Sequence, residues 1–81
     1  MYFTYILFSS SKRSYYIGCT NDLAGRIRRH NCRHKGYTGN NDDWVLVWQK
    51  KFENKNLALS EERKIKNWKS RFMIEKLISE E

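Results

Sequence analysis

Tyr15-Tyr16-Ile17-Gly18-Cys19-Thr20-Asn21-Asp22-Leu23-Ala24-Gly25-Arg26-Ile27-Arg28-Arg29-His30 is the stretch whose reading decides the fold. Its opening, Tyr15 to Cys19, carries aromatic and β-branched residues and predicts a strand. Asn21-Asp22 is a pair of good helix-capping residues, and Leu23 to Asn31 then predicts a helix. Leu23 and Ile27, four apart, share one face of it.

Outward from that core, the pattern extends in both directions. Tyr2 to Phe8 predicts another strand, and the polar Ser9 to Ser14 joins it to the first as an antiparallel hairpin. After the helix, Cys32 to Asp43 is polar and contains glycine, a loop of about a dozen residues of the kind that often serves function. Trp44-Val45-Leu46-Val47-Trp48 is almost wholly apolar and is expected to be the central strand, covered on both faces. Asn54 or Asn56 caps a second helix from Leu57 to about Lys69. Ser70 caps a third, Arg71 to Ser79, with Phe72, Met73, Leu77 and Ile78 to one side. Strand, strand, helix, strand, helix, helix is an α+β order. It predicts a small three-stranded antiparallel sheet flanked by helices, one domain over residues 1–81.

Composition narrows the partners. The 81 residues hold 16 Lys and Arg against 9 Asp and Glu, a net charge of +7, with a pI near 9.7. Such an excess on so small a domain favours a polyanionic partner: DNA, RNA or an anionic membrane surface. The apolar opening is far shorter than the ~20 residues that span a bilayer, and no basic segment precedes it, so no membrane partner is expected. Two cysteines, Cys19 and Cys32, make no disulfide framework and fit free thiols in a reducing cytoplasm.

Charge on inward helix faces points to a site. At about 100° per residue and with Leu23 at zero, Ile27 lies near +40°, His30 near −20° and Arg26 near −60°. Arg28 and Arg29 point outward. On the second helix, with Leu59 at zero, Glu62 lies near −60°, inside the arc made by Leu59, Ala58 and Ile65, while Glu61 falls well outside. An inward acid needs a cation, a proton or a metal. A Glu62–Arg26 ion pair within the core would meet that need, and so would a functional site. His30-x-Cys32-x-His34 with Cys19 could be read as a zinc set, but the spacing does not match the usual Cys-x₂₋₄-Cys pattern. Tyr37, Trp44 and Trp48 could stack RNA bases, although aromatics in and beside a strand more often form core.

These residues together resemble the GIY-YIG nuclease superfamily, and most of all its small stand-alone bacterial members. Tyr16-Ile17-Gly18 matches the second half of the name motif. Phe3-Thr4-Tyr5 stands where Gly-Ile-Tyr would be, with only the tyrosine kept. The eleven-residue step from Tyr5 to Tyr16 is similar to the family spacing, as are Leu23-x-x-Arg26-x-x-x-His30 and Ala58-Leu59-x-x-Glu62-x-x-Ile65-Lys66-x-Trp68. The resemblance implies an endonuclease that hydrolyses DNA phosphodiester bonds, on branched or damaged DNA as in repair. It implies that Glu62 holds one divalent cation, Mg²⁺ or Mn²⁺. Arg26 would clamp the scissile phosphate, Tyr16 or Tyr5 would orient or deprotonate the attacking water, and His30 would relay a proton or bond the phosphate. Gly18 would let the backbone turn closely beside the site. The chain departs from the family pattern in Phe3 for glycine and in Cys19, where some members carry lysine. Arg28, Arg29, Arg33, Lys35, Lys64, Lys66, Lys69 and Arg71 are expected to follow the DNA backbone. A protein partner is expected to supply targeting. The competing reading is a nucleic-acid-binding module on the same fold with little or no catalysis.

Overall fold

A computed structural model describes residues 1–31 and 43–80. The chain runs β1 (Tyr2–Ser9), β2 (Ser14–Thr20), α1 (Leu23–His30), β3 (Trp44–Phe52), α2 (Lys55–Trp68) and α3 (Arg71–Ser79). The three strands form one antiparallel sheet in the order β2-β1-β3. This is the expected α+β architecture.

The helices begin where short polar side chains can satisfy free backbone N–H groups. Asp22 accepts from the Gly25 N–H at 3.1 Å, Asn54 from Leu57 at 3.0 Å and Ser70 from Met73 at 3.4 Å. Each such cap contributes about 1 kcal/mol. Of the two candidate caps for α2 it is Asn54 that acts, so the helix starts two residues before Leu57. Lys69 adopts a left-handed conformation, φ 49°, which ends α2 and lets α3 begin directly.

The central strand is β1, not β3. Thr4, Tyr5, Ile6 and Leu7 are all fully buried, because both neighbours and both faces of β1 are covered. β3 is an edge strand, with Val45 56% exposed and Gln49, Lys50 and Lys51 in solvent. Its apolar run has another cause. The pairing of β1 with β3 slips between Ile6 and Leu7, whose partners are Trp48 and Leu46, leaving Val47 as the extra residue. Trp44 and Trp48 are four apart and would share a face in a regular strand. The bulge sends them to opposite faces.

Each face therefore has its own core. On one side Ile6, Ile17 and Trp48 meet Ile65 of α2 and Ile74 of α3. On the other, Tyr5, Leu7 and Trp44 pack with Tyr16, Leu46 and the Leu23–Ile27 face of α1. Both tryptophans are core residues, which removes them as base-stacking platforms. Two polar ties frame the α1 side. Asn31 exchanges hydrogen bonds with the Trp44 backbone at 2.8 and 3.0 Å. Asp43 accepts from the Ser9 hydroxyl at 2.7 Å and the Ser11 N–H at 2.8 Å. These bonds, the Ser9 one foremost, hold the Asp43 carboxyl well below the usual range.

Candidate active site

Strand register builds the first half of the site. Tyr5 lies opposite Gly18, and Leu7 opposite Tyr16, so the two tyrosines share the α1 face. His30, the last residue of α1, is buried against them, as its place near the apolar stripe predicts. The Tyr5 hydroxyl is 3.0 Å from His30 Nε2. The Tyr16 ring is 4.6 Å from the imidazole and 6.4 Å from the Tyr5 ring. Trp44 closes the stack, 6.4 Å from Tyr16.

Gly18 has a different reason from the one expected of it. The Tyr5 ring lies over it, and a Cβ there would stand 2.6 Å from Tyr5 Cζ and 3.1 Å from Tyr16 Cε2. Glycine makes room for a phenol rather than for a turn. The buried Tyr5 hydroxyl is held well above its ordinary pKa. Burial is the main cause, with Tyr16 next and Glu62 and Cys19 also raising it, while Arg26 opposes them. Tyr5 thus stands among His30, Tyr16, Arg26, Glu62 and Cys19, each of which bonds it or acts on it.

The second half is a cleft of about 230 Å³ beyond the end of β2. Arg26 comes to it from α1 and Glu62 from α2, with Cys19 and Asn21 between them. Arg26 is more exposed than its expected place beside the inward face implied. Among the described residues it makes no side-chain hydrogen bond or ion pair, so the expected alternative, a Glu62–Arg26 core ion pair, is not formed. Glu62 is partly covered, its side chain 17% exposed, and it pairs with Lys66 one turn on, at 2.7 Å. Glu61 is also partly covered, on the side of α2 where α3 packs, which the helical wheel of α2 alone does not include. Lys55, at the start of α2, lines the same cleft as Cys19 and acts on its thiol. No sequence signal marked it, yet it brings a cation to the place where Cys19 stands in for the family's lysine. Burial and then Glu62 push the Cys19 thiol pKa up, and the thiol is free.

The remaining candidates scatter. Arg28 and Arg29 are exposed on α1. Lys64 faces a groove between α2 and α3, away from Glu62. Lys66, Lys69 and Arg71 line another cleft, joined by Arg13, which the sequence reading missed. Arg71 is largely committed to the fold, donating to the Arg13 carbonyl at 2.7 Å, pairing with Glu75 at 3.1 Å and lying 5.3 Å from the Tyr15 ring. Arg33 and Lys35 lie outside the described residues, as do Cys32, His34, Tyr37 and Thr38.

The donor set can be tested against a cation. Glu62 is a single, solvent-accessible carboxylate, which suits Mg²⁺ or Mn²⁺, ions held by one or two carboxylates with several waters retained. No three His, Cys, Asp or Glu side chains converge among the described residues. His30 is turned into the stack, and the other zinc candidates Cys32 and His34 are outside the described residues. No helix among the described residues is long and apolar enough to cross a membrane.

Comparison with known proteins agrees with this fold. The solution NMR structure of a UPF0213 protein from Bacillus halodurans is similar over 98% of this chain and 84% of its own, at 30% identity and a TM-score of 0.60. No curated protein matches. The family profile described as the GIY-YIG catalytic domain matches residues 1–76, a family of endonucleases with a nuclease-type fold and typical dependence on divalent metal. The chain belongs to the GIY-YIG family.

Proposed function

We propose that the protein is a metal-dependent endonuclease that hydrolyses DNA phosphodiester bonds, with branched or damaged DNA as its substrate. The observation that carries this reading is the meeting of Arg26 and Glu62. They are 36 positions apart, on helices that cover opposite faces of the sheet, yet they line one cleft, and both act on the buried Tyr5. A purely structural pair would be expected to bond to each other, and these do not.

In this reading, Arg26 grips the non-bridging oxygens of the scissile phosphate with its planar fork. Lys55 adds a second positive charge from the far wall. Glu62 would hold a divalent cation in place of the Lys66 ammonium that now pairs with it. The cation, when bound, neutralises phosphate charge and stabilises the leaving oxygen. Tyr16 is the tyrosine we assign to the attacking water. Tyr5 is enclosed, retains its proton and bonds His30, so it positions the stack instead. His30 fixes the two phenols relative to each other and takes up the proton passed on through Tyr16, while Tyr5 keeps its own. The exposed cations follow the phosphate backbone, and targeting to a DNA structure falls to a protein partner.

A second reading is a DNA-binding module with little catalysis. The Lys66–Glu62 pair favours it, because it satisfies the carboxylate without a metal. Cleavage of labelled duplex, single-stranded, flapped and four-way DNA with Mg²⁺ or Mn²⁺, beside Glu62→Ala, separates the two. Cutting by the wild type but not by the variant is expected. Equal cutting by both would refute the role of Glu62. No cutting, with binding that weakens steeply as salt rises, would favour the module.

A further inference from the structure

The cleft around Arg13 and Lys69 is separate from the one holding Arg26. It has a volume of about 360 Å³ and lies between β2, the end of α2 and the start of α3. Among the described residues four cations line it, Arg13, Lys66, Lys69 and Arg71, and no acidic side chain does. Its floor is apolar, formed by Ile17, Ile65 and Ile74. Apolar walls strengthen the field of the charges above them, because less water screens it.

The cleft is also built rather than incidental. Arg13 and Lys69 are the two residues of the chain with positive φ other than glycine among those described, at 52° and 49°. Both left-handed turns flank this cleft. Arg71 ties one turn down through the Arg13 carbonyl and is itself held by Glu75 and the Tyr15 ring. Lys66 joins the two clefts, since it lines this one while its ammonium holds Glu62 of the other. From Glu62 to Lys69 along α2 is roughly 10 Å at 1.5 Å per residue. Projected on a duplex axis, where one strand carries a phosphate every 3.4 Å, that separation is at most about three phosphates.

We infer that this cleft is a second phosphate subsite, which holds the backbone of the nucleic acid strand a few nucleotides from the phosphate that Arg26 and Glu62 receive. The inference rests on the proposed nucleic-acid substrate. It makes β2 the edge along which the strand runs.

The test is binding of a fluorescently labelled DNA duplex by anisotropy, in EDTA and over a range of NaCl concentrations. The variant is Arg13→Asn with Lys69→Asn, since asparagine accepts the left-handed conformation that both positions require. The control, Lys50→Gln with Lys51→Gln, removes the same charge from the exposed end of β3. Each lost phosphate contact lowers the slope of log K against log salt by roughly 0.7–0.9. The cleft variant is expected to lose about 1.4–1.8 of slope, and the control little of it. Equal losses in both, no loss in the cleft variant, or no binding by the wild type would each overturn the subsite. Lys69→Asn alone, with an expected loss of about 0.7–0.9, serves if the double variant does not fold. Because EDTA prevents cleavage, the result is independent of catalysis. A protein that cuts without the slope difference keeps the nuclease and loses the subsite. One that shows the difference but never cuts does the reverse.

Discussion

The tyrosine–histidine stack and the Arg26–Glu62 cleft adjoin each other but differ in their contact with water. In the stack, Tyr5 and His30 are enclosed and satisfy each other, and the ring of Tyr16 lies against them. In the cleft, Arg26, Lys55 and Glu62 keep solvent contact, and among the described residues only Glu62 of the three has an ion-pair partner. A charge that must leave its partner for a phosphate or a cation cannot be deeply buried, because desolvation would cost several kcal/mol. A phenol that must hold a position has no such restriction. The cleft is therefore where changes should alter chemistry with little effect on stability, and the enclosed Tyr5 side of the stack is where they should alter stability.

The largest expected effect is on the cleft side. Arg26→Ala should lower turnover by ~100-fold or more, as removal of a group aimed at developing charge commonly does. Its melting temperature should not move. Single-turnover kinetics and a thermal melt check both at once, and a loss confined to affinity would transfer Arg26 to the binding track.

On the stack side, Gly18→Ala should cost about 1–3 kcal/mol through overpacking against Tyr5. Denaturant unfolding measures it, and an unchanged midpoint would mean that the phenol can move aside freely. Tyr5→Phe is milder, about 0.5–1.5 kcal/mol for the lost bond to His30. It has a pH signature as well. In the unfolded chain Tyr5 ionises near pH 10, while in the fold burial raises its pKa. The neutral phenol thus favours the folded state below that pH, and the stability is lost as pH rises above about 10. Tyr5→Phe should flatten that alkaline decline relative to wild type, and identical declines would show that the phenol is not enclosed.

The smallest effect belongs to Lys66→Ala. Its side chain is 50% exposed, and exposed helical pairs of this spacing are worth about 0.3–0.5 kcal/mol. Stability should barely change. A loss of several kcal/mol would make the Glu62–Lys66 pair structural and blur the distinction between cleft and stack.

Much of this molecule was legible along the chain because its signals are local. Asp22 and Ser70 cap the helices expected of them, and α3 spans the residues its pattern outlined. His30 lies near Leu23 on the helical wheel and is buried there. Glu62 was conspicuous for the same reason, as an acid amid Ala58, Leu59 and Ile65. The failures are non-local. β3 was expected to be central because five apolar residues follow one another, but an edge strand can bury both of its tryptophans if a bulge divides them. Glu61 was placed in solvent because α3, which packs beside it, is not part of its own helix.

Cap chemistry, the period of apolar residues and the motif from Tyr5 to Glu62 are properties of neighbours in sequence. They determined the order of elements, the α+β class and the set of residues to examine. Strand order, the slip at Val47 and the tilt of each helix depend on contacts between segments far apart in the chain. Those contacts decided that Tyr5 covers Gly18, that Arg26 and Glu62 share a cleft, and that Arg13 and Lys55 stand beside the clefts. Side-chain periodicity says which way a residue faces, but only the packed chain says what it meets there.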